Sequence, residues 1–384
     1  MIDKSAITLH PLREYLTEYK ELNIDNKYRP VAVGRFGIRT RESIYSKELA
    51  QDYSKNKLIY RGTLTVGMGS VQMDIGILSD DVTYSVSPAY HTYRICGIDY
   101  DYLRFCLQCR NPDMFSRFMK RGSRQGKSID LDRWITYEIP VYPLDMQLEI
   151  VDQLKRAQSI IDMRQRELDQ LDNLIKARFV EMFGMPGTDE KGWGLKRLGE
   201  CCELNPKKGN DTRLRSGLEV SFVPMPAVSE NGRIDPSEIR QYDDVKSGFT
   251  YFAENDVLIA KITPCMENGK GAVAVGLTNG IGFGSTEFHV LRPIENRSNP
   301  YWIYVLTSIK AFREDAAANM TGSAGQRRVP ASFLDSYKVS LPPIAMQEQF
   351  ATFVKQIDKS KFVVQQALEK AQLLFDSLMQ KYFG

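Results

Sequence analysis

The chain is poor in the residues on which catalytic and disulfide-built proteins depend. Three histidines and six cysteines are spread over 384 residues. Six cysteines make no extracellular disulfide framework and suit a reducing compartment. Cys106 and Cys109 form a lone C-x-x-C pair and Cys201 adjoins Cys202, a spacing that zinc sites do not favour. Cys106 also sits in the apolar run Tyr102-Leu-Arg-Phe-Cys-Leu107, which predicts a buried thiol rather than a metal ligand. No apolar run reaches the length of a membrane span, and Met1-Ile-Asp-Lys-Ser5 has no signal-peptide pattern, so a cytoplasmic protein with no membrane partner is expected. Charge of one sign is missing too. Lys and Arg number 51 against 48 Asp and Glu, so any basic surface must be local.

Enzyme motifs are equally scarce. Gly122-Ser-Arg-Gln-Gly126-Lys127-Ser128 has one residue too few between its glycines for a phosphate loop, and it follows a helical pattern rather than a strand. Gly67-Met-Gly69 and Gly269-Lys-Gly271 lack the third glycine of a dinucleotide fingerprint. Neither His-Glu-x-x-His nor Gly-x-Ser-x-Gly occurs. Leu341-Pro-Pro-Ile344 has two prolines of an amino-methyltransferase motif without its flanking residues, and reads as a domain junction. No catalysis and no cofactor are expected of this chain.

What the chain does contain is a long stretch written twice. Pro143-Leu-Asp-Met-Gln147 through Met182-Phe-Gly184 aligns without a gap on Pro343-Ile-Ala-Met-Gln347 through Tyr382-Phe-Gly384, 200 residues later. A repeat of this kind outranks local readings. With Ile150 at heptad position a, the seam of the first copy holds Ile150, Leu154, Ile161, Leu168, Leu171 and Ile175, with Arg178 and Met182 at its end. In the second it holds Phe350, Val354, Ile357, Val364, Leu368 and Phe375. No proline or glycine interrupts either copy, which predicts two coiled-coil helices, each ending at its glycine. At ~1.5 Å per residue each is about 55 Å long. Neither can bury its stripe alone, and the other copy is the nearest partner, in antiparallel sense. Arg164, Arg178 and Lys361 break the seam. A polar seam residue can fix register, but long basic side chains ordinarily reach back to solvent, and that is the expectation here.

The repeat divides the chain into a first globular segment, residues 1–142, a first helix, 143–184, a second globular segment, 185–341, and a second helix, 342–384. Both globular segments read as one mixed α/β (α+β), sheet-rich fold with different loops. Tyr53-Ser-Lys-Asn-Lys-Leu-Ile59 answers to Phe252-Ala-Glu-Asn-Asp-Val-Leu258, and Tyr90-His-x-x-Arg94 to Phe288-His-x-x-Arg292. Gly122-Ser123 answers to Gly322-Ser323, and Trp134 to Pro143 closes the first segment as Phe333 to Pro342 closes the second. The matched histidines, His91 and His289, have no nucleophile or carboxylate at motif spacing, so a structural hydrogen-bonding role is expected of them.

One feature of the loops points to nucleic acid. Arg117, Lys120, Arg121, Arg124 and Lys127 are interleaved with Phe115, Phe118, Ser123 and Gln125, and the counterpart in the second segment holds Ser323, Gln326, Arg327 and Arg328. Glycine-rich backbone approaches phosphates closely, arginine pairs with guanine, and glutamine with adenine. A charge run is more often a solvated surface, and recurrence at matching points of two copies is what lifts this one above that. Further candidates are Arg61, Thr65, Met68, Ser70 and Gln72 in the first segment, with Lys261, Thr263, Asn268 and Lys270 in the second.

Two variable segments each followed by a repeated helix, the lead-in Pro342-Pro-Ile-Ala-Met-Gln-Glu-Gln349, the exit Phe179-Val-Glu-Met-Phe-Gly-Met-Pro186 and the opening Trp193-Gly-Leu-Lys-Arg-Leu-Gly-Glu200 together resemble the specificity subunit of type I restriction–modification systems. The likeness runs through the whole chain, except that nothing near residues 1–30 matches the Trp193 to Glu200 opening. It implies two target recognition domains held apart by antiparallel spacer helices in a pseudo-twofold arrangement. Each would read one half of a bipartite, asymmetric site in double-stranded DNA. It implies docking of two methyltransferase subunits on the helices and two restriction (nuclease–translocase) subunits in a larger complex. S-adenosylmethionine, ATP and Mg would then belong to those partners. A scaffold whose domains bind proteins, a single-chain modifying enzyme and a methylation-only system are the alternatives. Repeated basic loops disfavour the first and the motif search the second, while the third stays open.

Overall fold

The computed structural model describes residues 7–34, 37–41, 52–121, 127–323 and 325–384. Two compact units divide the chain, residues 1–164 with 367–384, and residues 165–366. Each therefore takes one globular segment and half of each long helix.

In the first unit a four-stranded antiparallel sheet has the order Leu16–Tyr19, His91–Ile95, Thr63–Met68, Met73–Ile77. The helix Tyr100–Phe118 covers it, capped by the Asp99 carboxylate, which accepts from the Asp101 and Tyr102 amides. In the second unit the matching sheet runs Cys202–Leu204, Phe288–Pro293, Val257–Ala260, Gly271–Val273, also antiparallel, with helices Pro300–Ser308 and Lys310–Ala318 following. A further four-stranded sheet built on Glu219–Val223 and Ile281–Gly284 is added in this unit. The shared strand order confirms the internal repeat and the mixed α/β class.

Topology corrects two sequence matches. Thr63–Met68, not the stretch ending at Ile59, occupies the place of Val257–Ala260, because each pairs with the histidine-bearing strand, Val66 opposite His91 and Ile259 opposite His289. The turns before these strands rest on Gly62 and Asn255, both at positive φ, 79° and 68°. Glycine and asparagine are the residues that tolerate that conformation. The asparagine shared by Tyr53–Ile59 and Phe252–Leu258 is thus a coincidence of sequence. The second correction concerns the opening. Thr8–Pro11 pairs with Glu138–Val141 as Leu195–Arg197 pairs with Lys338–Ser340. The Leu12 amide then donates to the Tyr137 carbonyl at 3.0 Å as that of Leu198 does to Tyr337 at 2.8 Å. Residues 8–14 are therefore the counterpart of the Trp193 to Glu200 opening. Backbone pairing is kept there while identity is lost.

The lead-in motif has a structural purpose. Gln147 and Gln347 are buried, and each carboxamide ties a long helix to the residue that caps an earlier helix of the same unit. Gln147 Oε1 accepts from the Asp99 amide at 2.9 Å while its Nε2 donates to the Tyr142 carbonyl at 2.7 Å. Gln347 repeats this with the Asn299 amide at 2.8 Å and the Pro342 carbonyl at 2.9 Å.

The long helices, Leu144–Phe183 and Ile344–Phe383, pair in antiparallel sense within each unit. In the first, Ile150, Leu154 and Ala157 share a core with Phe375, Met379, Tyr382 and Phe383, and the Tyr382 hydroxyl donates to Gln153 at 2.8 Å. In the second, Ile175, Phe179 and Phe183 share a core with Phe350 and Val354. Leu168 and Val364 are buried, and Ile161, Leu171, Ile357 and Leu368 partly so, as the heptad reading expects. At the end of the first helix, Phe179 and Phe183 are more deeply buried than Arg178 and Met182. An α-helix gains ~20° per heptad on a 3.5-residue repeat, and the two phenylalanines fill the position reached by that drift. Gly184 ends the helix at φ 79°. Of the seam cations, Arg178 reaches solvent and pairs with Glu181 at 2.8 Å, but Lys361 is buried against expectation. Its ammonium lies 2.5 Å from Asp172 across the helix pair, which compensates the lost hydration.

Candidate nucleic-acid interface

In each unit two of the candidate stretches come together at the sheet. In the first, Gly69 to Gln72 connects Met68 to Met73, its backbone folded so closely that a Cβ on Gly69 would stand 2.3 Å from the Gln72 carbonyl. Ser70 is exposed and Met68 and Gln72 half-buried. The hairpin Met119–Arg121 with Lys127–Ile129 follows the helix, and Lys127 Nζ donates to the Ser70 carbonyl at 3.4 Å. Lys120 is ion-paired to Asp130 at 2.7 Å. Ser123, Arg124 and Gln125 lie outside the described residues, as does the side chain of Arg121.

Two first-unit candidates do not join this group. Thr65 is fully buried at the centre of its strand, opposite Gly76 and Thr92, and has no surface to offer a duplex. Its alternation with apolar neighbours reflects a sheet covered on both faces. Arg61 is exposed, but at the other end of the Thr63–Met68 strand. Six residues at ~3.3 Å each put it about 20 Å from the 69–72 turn.

In the second unit the stretch 261–270 leaves the Val257–Ala260 strand and runs beside 321–329. The Thr263 amide donates to the Arg327 carbonyl at 3.0 Å and the Val329 amide to the Lys261 carbonyl at 2.9 Å. Ser323 and Gln326 are exposed at the turn. The two arginines, alike in sequence, differ in place. Arg327 donates to the Ala317 and Met320 carbonyls at 2.9 and 3.2 Å, closing the end of helix Lys310–Ala318. Arg328 forks onto both oxygens of Glu287, at 2.9 and 2.8 Å, and holds that carboxyl below its usual range. Asn268 donates to Glu230 at 2.9 Å, Lys270 to the Met225 carbonyl at 3.3 Å, and the Thr263 hydroxyl to Glu267. Lys261 is half-buried near Glu287. Sequence reasoning missed the carboxylates Asp130, Glu230 and Glu287. The two glutamates come from remote turns, so no spacing announces them.

The histidines take part in scaffolding. His91 meets Glu18 across its strand pair at 2.8 Å. His289 is buried, its Nε2 2.8 Å from the Val329 carbonyl, and burial pushes its pKa down. Cys106 is buried and its thiol pKa is pushed well up by burial. Among the described residues no group of histidine, cysteine and carboxylate side chains could hold a metal ion, and no helix is long and apolar enough to cross a membrane.

Residues 190–372 match the type I restriction modification DNA specificity domain. They belong to that family. The chain is also similar to two Escherichia coli proteins, the specificity subunits of the type I restriction enzymes EcoAI and EcoEI. The EcoAI match is 42% identical over 163 residues, 41% of this chain and 26% of the relative. The EcoEI match is 39% identical over 195 residues, 50% of this chain and 31% of the relative. The matched parts thus span about a quarter to a third of those specificity subunits. Over the whole chain, likeness is of fold. A chain from a structure of a type I R-M system superposes with TM-score 0.52 at 16% identity, covering 100% of this chain and 99% of that one. The type I S subunit from M. genitalium does so with TM-score 0.52 at 12% identity, covering 100% and 98%. The resemblance to type I specificity subunits is borne out.

Proposed function

We propose that this chain is the non-catalytic DNA-specificity subunit of a type I restriction–modification complex, and that each unit reads one half of a bipartite, asymmetric site in double-stranded DNA. The observation that carries this is the specificity-domain match in the second half, joined to an equivalent sheet and loop pair in the first. Unlike loops on like frames would read unlike half-sites. The exposed residues Ser70 and Lys127 with half-buried Gln72 in one unit, and exposed Ser323 and Gln326 with half-buried Lys261 in the other, are the groups offered to the duplex. Phosphate contacts by the basic members would make binding fall with salt.

The long helices would dock two methyltransferase subunits. Exposed apolar residues recur on them at matching positions, Met163 with Val363 and Leu174 with Leu374, as two copies of one partner would require. Adenine methylation with S-adenosylmethionine, and any ATP- and Mg-dependent cleavage by two restriction subunits, would be the partners' chemistry in the cytoplasm. The test is a genome-wide map of methylated adenine with and without this gene, its companion subunits present. Loss of one split motif with a fixed gap is the expected result. An unchanged map, with no salt-sensitive DNA binding by the purified complex, would overturn the proposal.

A further inference from the structure

The second unit contains a buried polar cluster that the reading above does not use. Lys361, its side chain 7% exposed, lies 2.5 Å from Asp172 on the other long helix and 3.7 Å from Asp358 on its own. Its ammonium also donates to the Asn231 main-chain carbonyl at 3.3 Å, so the helix pair holds a turn of the recognition domain directly. A cavity of about 120 Å³ opens beside these groups, with Lys176 and Tyr304 in its wall. Burial pushes the Lys176 pKa down and that of Asp358 up.

The turn held by Lys361 is fastened on its far side to the 261–270 loop. Gly271 donates to the Ser229 carbonyl at 3.2 Å, Gly232 bridges Ala272, and Asn268 donates to Glu230 at 2.9 Å. One main-chain turn therefore connects a buried ammonium of the spacer helix to a candidate reading loop. The first unit has Ile161 where the second has Lys361, and Gln158 and Gln372 where it has Asp358 and Asp172. An apolar side chain there fills the seam but cannot hold a carbonyl.

We propose that Lys361 is a positioning residue for the second half-site, holding the 229–233 turn and through it the 261–270 loop in place on the helix pair. The proposal rests on 261–270 being a DNA-reading loop. Lys361→Met keeps the length of the side chain and removes the ammonium, and Lys361→Arg keeps the charge. Glu230→Ala, at an exposed turn, cuts one of the three contacts between turn and loop, the Asn268 side-chain bond, and leaves Lys361 untouched. Hydrogen exchange of the full chain reads the connection without DNA. Lys361→Met raises exchange in 229–233 and 261–271 and leaves Tyr100–Phe118 unchanged, Lys361→Arg restores protection, and Glu230→Ala raises exchange in 261–271 alone. Exchange that rises only in the helices, or equally in both units, overturns the proposal. In the complex with its methyltransferase subunits, Lys361→Met weakens discrimination at one half-site by about tenfold, the scale of one lost base contact, and leaves the other intact. The exchange pattern without any change in discrimination would overturn the assignment of 261–270 to DNA reading while the mechanical link stood.

Discussion

Arg327 and Arg328 are neighbours in the sequence, yet one closes a helix end and the other forms a fork with a carboxylate. Replacing Arg327 by methionine leaves the Met320 carbonyl without its donor and the Ala317 carbonyl with main-chain donors alone, and should lower stability by about 1–2 kcal/mol. Ser323→Ala, at an exposed turn, should stay within about 0.5 kcal/mol. Denaturant unfolding of the two variants checks both values, and equal effects would remove the distinction. The Arg328–Glu287 pair sets a pH dependence. Arg328 holds the Glu287 carboxyl below its ordinary value, so the bond's contribution is complete above the unfolded value, ~4.3, and is lost as pH falls through the lower folded one. Protection of the Lys261 amide, which donates to the Glu287 carbonyl at 2.9 Å, should therefore fall below pH ~4. In Glu287→Gln that acid step should be absent, as amide exchange measured across the range would show. The sequence signalled that these basic residues belong to loops. It did not signal which were neutralised, because Glu287 reaches Arg328 from a turn far along the chain.

The long helices were the most legible elements, since a gapless repeat with an apolar seam has few other solutions. Where that reading failed, geometry explains it. The seam drifts from Arg178 and Met182 to Phe179 and Phe183, because a fixed heptad cannot follow a helix of 3.6 residues per turn over its full length. Lys361 is buried because Asp172 stands opposite it, a pairing invisible until the helices are placed antiparallel. Phe350 lies where the helices meet in the second unit, its ring centroid 5.6 Å from that of Phe179 and 5.3 Å from that of Phe183. Phe350→Ala should destabilise by about 3–5 kcal/mol, measured by denaturant unfolding. A loss below about 1 kcal/mol would mean that the aromatic cluster is not a closed core.

At the scale of the whole molecule, the duplication was legible in the helices and much less so in the recognition segments, where backbone pairing persisted as identity faded. Residues 8–14 show why. Their counterpart was found through the Leu12 amide and the Tyr137 carbonyl, and a hydrogen bond between main-chain groups puts little constraint on side chains. Each unit has its own core and its own buried glutamine joining segment to helix, so the surface that varies can change without disturbing the surface that pairs. This independence makes a demanding prediction. Exchanging residues 1–142 for a divergent segment that keeps the residues flanking Gln147 should alter one half of the methylated motif and leave the other half unchanged. Methylation mapping of the exchanged complex reads both halves in one measurement. A change in both would show that the units do not read separately, and the duplicated frame would then serve assembly alone. A change in one would identify the half read by residues 1–142, and by elimination the half that the 261–270 and 321–329 loops address.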